Sequence, residues 1–131
     1  MGEPNFNGKV LTITEMPIFS GIEGLLTVNG CYVEEHINWH VAISRIREET
    51  FDAVILNIIF QYGNAGDICD PAKQIIGEAQ RRNVPNIIVA TIYPPRELDG
   101  FLEGIEIIDL TAVNFAEKIF AVLDRIKASK K

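Results

Sequence analysis

The sequence predicts an α/β domain in which five parallel strands form one doubly wound sheet in the order 2-1-3-4-5, with helices on both faces. Three observations carry this expectation. Runs rich in β-branched residues alternate along the chain with stretches whose apolar residues recur at helical spacing. Two of the runs, Phe51 to Phe60 and Pro85 to Ile92, are apolar almost throughout, as strands covered on both faces must be. Start and stop residues fall between the runs, and right-handed crossovers then distribute the helices to both sides. With 131 residues the chain is long enough for a single domain over 1–131 and no longer.

Taken in order, Lys9 to Thr14 alternates and reads as the first strand, ending at Glu15-Met16-Pro17, where proline suits the first turn of a helix. Ile18, Phe19, Ile22, Leu25 and Leu26 can share one helical face, and Asn29-Gly30 supplies the stop. Cys31 to Ile37 is the second strand. Asn38 caps a second helix with Ala42, Ile43 and Ile46 inward and Arg45, Arg47, Glu48 and Glu49 outward. Phe51 to Phe60, the central strand, is interrupted by one amide, Asn57. Gln61 to Asp67 reads as a glycine-bearing loop, and Asp70-Pro71 as the N-cap and first residue of a third helix with Ile75, Ile76 and Ala79 inside. Arg81, Arg82 and Asn83 complement its negative end. The fourth strand, Pro85 to Ile92, is followed by Tyr93 to Glu103, which leaves room for barely two helical turns, so the fourth helix is shortened. Gly104 to Leu110 is the fifth strand. The last helix starts at Asn114 with Glu117 in a capping-box arrangement and turns Phe115, Ile119, Val122, Leu123 and Ile126 inward.

Composition narrows the function classes. A net charge of −6 and a pI near 4.9 repel a nucleic-acid backbone on average. The lysines Lys127, Lys130 and Lys131 read as a solvated helix end. No apolar run is long enough to span a bilayer, and Met1 to Gly8 lacks an export pattern, which predicts a cytoplasmic protein without membrane contact. Cys31 and Cys69 stand far apart and read as free thiols. His36 and His40 are four apart, but Asn38 breaks strand from helix between them, so no metal site is expected. Trp39 reads as packing. Gly63 and Gly66 could cradle phosphate, yet that loop carries Asp67 and Asp70 and no base, so a loop tip is the simpler account.

In this order of elements the chain resembles the response-regulator receiver domains of two-component signalling, a flavodoxin-like fold, over nearly its whole length from Lys9 to Ile126. Lys9 to Pro17 is similar to the receiver's first strand, acidic pair and proline. Ala42-Ile43 with Ile46 resembles its second helix. Phe51 to Asn57 resembles the Pro-Asp-Leu-Val-Ile-Leu-Asp strand, and Pro85 to Thr91 the strand ending in a hydroxyl residue. The resemblance implies that two acids after the first strand and an acceptor aspartate should hold magnesium across the crevice between the first and third strands. Here those positions read Thr14, Glu15 and Asn57. An amide cannot give a stable acyl phosphate, and one carboxylate in place of three removes most of the attraction for magnesium. The receiver's lysine falls near Leu110 or Thr111. Thr91 alone matches, and a threonine there also serves simply by bonding to nearby backbone. Glu15 is equally at home beside a helix N-terminus.

These residues predict a degenerate, pseudo-receiver domain without catalysis, cofactor or metal, working as a phosphorylation-independent protein-interaction module in or beside a phosphorelay. Its partner is expected to be a signalling protein or a histidine-kinase-associated component, with homodimerisation as the other route to output. Tyr93, Pro94, Pro95, Phe101 and Leu102, on the fourth connection, are the candidate partner-binding residues. The alternative is a phosphoacceptor, or a small flavodoxin-like ligand-binding or enzymatic domain, using another acid such as Asp67 or Asp70.

Overall fold

The computed structural model describes residues 8–14, 21–57, 65–91, 105–110 and 113–129, with backbone alone for 65–71 and 129. Five strands, β1 (Lys9–Thr14), β2 (Tyr32–His36), β3 (Ala53–Asn57), β4 (Asn86–Thr91) and β5 (Glu106–Asp109), form one parallel sheet in the order β2-β1-β3-β4-β5. The helices are α1 (Ile22–Val28), α2 (Trp39–Glu48), α3 (Ala65–Arg81) and α4 (Phe115–Ser129). The sheet order and the doubly wound class are those the sequence predicts.

Strand alternation divides the core into two layers. On one face Leu11, Ile13, Val54, Leu56 and Val89 meet Ala42 and Ile46 of α2 and Ala72, Ile75, Ile76 and Ala79 of α3. On the other, Val10, Ala53, Ile55, Ile88 and Ala90 meet Ile22 and Leu26 of α1 and Ile119, Val122, Leu123 and Ile126 of α4. Every residue of β3 is buried, so this strand has polar business only at its end. Ile43 and Phe115 are half-buried rather than fully inside.

Two helices end in the same six-residue device. At α1, Gly30 takes φ +91° and its N–H reaches Thr27 O at 3.1 Å, while Cys31 N–H reaches Leu26 O at 3.0 Å. At α3, Asn83 takes φ +58°, donating to Gln80 O at 3.0 Å, with Val84 donating to Ala79 O at 3.0 Å. Each satisfies two carbonyls that the helix leaves open, and each seats an apolar residue back on the helix. Asparagine tolerates the left-handed region less well than glycine. Asn83→Gly is therefore expected to raise stability by about 0.5 kcal/mol, read as a later urea midpoint with unchanged slope.

The structure corrects the start of α3. The helix begins at Ala65, so Gly66, Asp67 and Asp70 are helical and Pro71 is its seventh residue, not its first. Proline in a helix interior forfeits one backbone hydrogen bond and costs about 3 kcal/mol. The apolar face that follows, Ala72, Ile75, Ile76 and Ala79, is buried and offsets that cost. The loop-tip reading of Gly66 falls with the same shift, while Gly63 lies outside the described residues. So do Glu15 to Phe19, the fourth connection with Tyr93, Pro94, Pro95, Phe101 and Leu102, and Thr111. β1 has the expected bounds, while β2 to β5 start one or two residues later than expected and β2 and β5 also end one residue sooner. Asn38 caps α2 as the sequence predicts, its Oδ1 accepting from His40 N–H at 2.8 Å and Val41 N–H at 3.2 Å. Among the described residues no helix is long and apolar enough to cross a membrane.

Candidate functional site

In a doubly wound sheet the crevice opens where the strand order reverses, at the carboxyl ends of β1 and β3. Thr14 and Asn57 are register partners there, and Asn57 pairs in turn with Ala90 of β4. Thr12, Thr14 and Asn57 alternate with the same phase as Val10, Ala53 and Ile55, so all three belong to the α1/α4 face. Three buried polar residues thus interrupt an apolar layer at one edge. Thr91, also buried, ends β4, and its carbonyl accepts from Leu110 N–H at 2.8 Å. Leu110, where the resemblance puts a lysine, packs partly against the α1/α4 layer.

The Thr14 hydroxyl is already engaged. It donates to Glu23 Oε1 at 2.8 Å, from the first turn of α1. Glu35 of β2, in register with Thr12, completes the group. Loss of water around its carboxyl, then the charge of Glu23 and a hydrogen bond to Glu23, push Glu35 above the usual carboxylate range, against the Thr14 hydroxyl, which favours the charged form. The sign follows directly. A raised folded pKa makes the contribution of Glu35 to stability full below about 4.5, the ordinary value, and diminishing as pH rises through the folded value. Glu35→Gln, which keeps a donor without the charge, should flatten the loss of stability between mildly acidic and neutral pH, checked by urea midpoints across that range.

The sequence did not single out Glu23 or Glu35. The available signal was topological: order 2-1-3 sets the acid at the end of β2 beside the polar end of β1, and Glu23 stands in the turn that enters α1.

Asn57 is 5% exposed. Its Nδ2, together with Thr12 Oγ1 and Glu23 Oε2, is buried without a hydrogen-bond partner. Each such atom costs about 1–3 kcal/mol, and none of them bridges Asn57 to Thr14. The described residues do not suit the magnesium that the resemblance implies. Magnesium needs hard, preferably anionic oxygens in octahedral geometry, whereas Asn57 offers an amide and Thr14 spends its proton on Glu23. Among the described residues no three histidine, cysteine or acidic side chains are grouped to hold a metal.

The remaining candidates fall elsewhere. His36 Nε2 lies 2.7 Å from Glu34 Oε2, and Arg45 grips the same carboxylate through Nε at 2.6 Å and Nη2 at 2.9 Å. His40 belongs to α2 and lines a different cavity, so the two histidines do not converge. That cavity, about 500 Å³ in volume, is lined by Ile37, Asn38, Trp39, His40, Ile43 and Gln74. Trp39 is half-buried against the α2/α3 layer, as packing requires, yet also forms a cavity wall. Cys31 is buried.

Comparison with solved structures finds the same architecture in receiver domains. The receiver domain of Nitrogen Regulatory Protein C superposes with a TM-score of 0.67 at 18% identity, covering 95% of this chain and 98% of that one. The receiver domain of a sensor histidine kinase from Pseudomonas aeruginosa, solved with magnesium in its active-site cleft, gives 0.66 at 18% identity over 92% and 98%. An orphan response regulator of H. pylori gives 0.64 at 16% identity over 95% and 99%. No protein-family model matches the sequence, and no curated protein does.

Proposed function

The chain has the receiver fold of two-component signalling proteins, and from that premise we propose that it is a pseudo-receiver: a domain that accepts no phosphoryl group, catalyses nothing by itself and works through protein contacts in or beside a phosphorelay. One observation carries the reading. The last residue of the central strand, at the switch point, is a buried amide beside a threonine whose hydroxyl is bonded to Glu23. An attacking carboxylate is missing where the fold would use one, and the Thr14 hydroxyl that remains is spent on Glu23. Asp67 and Asp70, the alternative acceptors, stand in the first turns of α3 and not at the strand end, which supports the same reading.

Tyr93, Pro94, Pro95, Phe101 and Leu102 remain the proposed output surface, with a signalling protein as partner. A pull-down comparing the unaltered protein with Tyr93→Ala and Phe101→Ala tests it: the proposed face predicts lost partners, and an unchanged set removes it. The site itself is tested by amide spectra recorded with magnesium and beryllofluoride. The pseudo-receiver reading predicts no shifts converging on Asn57, whereas shifts centred there at low millimolar metal would overturn it.

A further inference from the structure

On a different face from the crevice, α2 and α3 form the walls of a groove that the reading above does not use. Trp39, Ile43 and Arg47 recur every four residues along α2 and so share one stripe. Across from them stand Gln74, Glu78 and Arg81 of α3. The groove has two ends of different chemistry. The first is the cavity walled by Ile37, Trp39 and Ile43, with Ile37 65% exposed. The second, about 400 Å³, shares Ile43 and Gln74 with it and continues past Arg47, Lys73 and Arg81.

Glu78 organises the basic end. It is 6% exposed, accepting from Arg47 Nε at 2.9 Å and from Arg81 Nη1 at 3.2 Å, while the two arginine side chains are 62% and 72% exposed. One buried carboxylate therefore holds one edge of two guanidinium groups and leaves the local charge positive. A guanidinium has five donors in a fixed fork, so each can still receive a carboxylate from outside, already oriented for it. The helix dipoles favour cations at these C-terminal turns, but they do not account for the apolar cavity one turn away.

We propose that this groove binds an acidic, amphipathic helical segment of a partner protein, with an apolar side chain seated against Trp39 and Ile43 and a carboxylate on the Arg47–Arg81 pair. Charge chooses this occupant. The chain carries −6 overall, yet charges are screened beyond about 8 Å at physiological salt, so an acidic segment meets the arginines and not the distant acids. Spacing constrains it further. Ile43 and Arg47 are one helical turn apart, about 6 Å, which matches an apolar residue and an acid three or four positions apart on the incoming helix. Tryptophan and arginine are also the residues most often found to dominate such interfaces. The proposal rests on the reading of the chain as an interaction module, but not on its phosphoryl chemistry.

Trp39 is the single tryptophan in the sequence, so its emission reports on the groove directly. The probes are blocked, tryptophan-free helical peptides carrying Leu, Phe or Met followed by Glu three and four positions on, and the same peptides with Lys for Glu. The expected result is a saturable emission change with the Glu series, weakening as salt rises, and at least tenfold weaker binding of the Lys series. Arg47→Ala and Arg81→Ala combined with Glu78→Gln, so that no buried carboxylate is left unpaired, and separately the largely exposed Ile37→Ser, should each weaken the Glu series at least tenfold with circular dichroism unchanged. Equal binding of the two series, or no emission change with any peptide, overturns the proposal. So does self-association in sedimentation that Ile37→Ser abolishes, because the occupant would then be a second copy. A failure here leaves the beryllofluoride result standing, and a failure there leaves this one.

Discussion

Asn57→Asp is expected to lower stability by about 2–3 kcal/mol at neutral pH and to leave the protein unable to accept a phosphoryl group. The substitution restores the residue type at which a receiver is phosphorylated, so the naive expectation is a gain of function. The surroundings argue otherwise. The position is 5% exposed, beside Thr14, whose hydroxyl is bonded to the Glu23 carboxyl group. A new carboxylate there is desolvated and repelled, so its folded pKa rises above the unfolded value near 3.9. The destabilisation must then be small at acid pH, where the group is neutral in both states, and grow as pH rises through the folded value. Urea midpoints at pH 5 and pH 8 separate this from a simple packing defect, which would cost the same at both.

Glu34→Gln is expected to cost about 1–2 kcal/mol at neutral pH and to change the acid side of the stability curve. Glu34 is 13% exposed and receives one edge of the Arg45 guanidinium through Nε and Nη2, with His36 on the oxygen that Nε reaches. The Arg45 hydrogen bonds, chiefly, pull its pKa down to about 2, against the burial that would raise it. A lowered folded pKa gives stability that is present above about 4.5 and is lost as pH falls toward 2. The variant should therefore unfold at a lower urea concentration than the unaltered protein at pH 7, and the two should converge as pH approaches 2. This network pins α2 to the edge strand β2, and so positions Trp39 and Ile43 for whatever enters the groove. Glu34 and Glu35, adjacent in sequence, thus bias stability in opposite pH directions because they point to opposite faces of one strand.

The sheet was legible because its signals are local: period-2 runs, capping residues, and two strands too apolar to be anything but central. From that order, Glu15 was expected to face Asn57 across the crevice; Glu15 lies outside the described residues, and Thr14 before it is the register partner of Asn57. The start of α3 was not legible, because Asp70-Pro71 is a strong local start signal and the buried face beyond it lets the helix tolerate an interior proline. The Glu23–Glu35 pair was hidden for another reason. Its members sit on a helix and an edge strand, and each reads alone as an ordinary solvated acid. The groove was half legible, since Trp39, Ile43 and Arg47 form a visible stripe, but the opposing wall of Gln74, Glu78 and Arg81 exists only once α2 and α3 are packed.

The central claim is that the switch point of this receiver fold has lost its reaction. Intact mass after incubation with magnesium and acetyl phosphate, at a pH where acyl phosphates survive, tests it most directly. The account predicts an unshifted mass for the unaltered protein and for Asn57→Asp alike. A phosphoryl adduct on the unaltered protein, mapped to Asp67, Asp70 or any other acid, contradicts it.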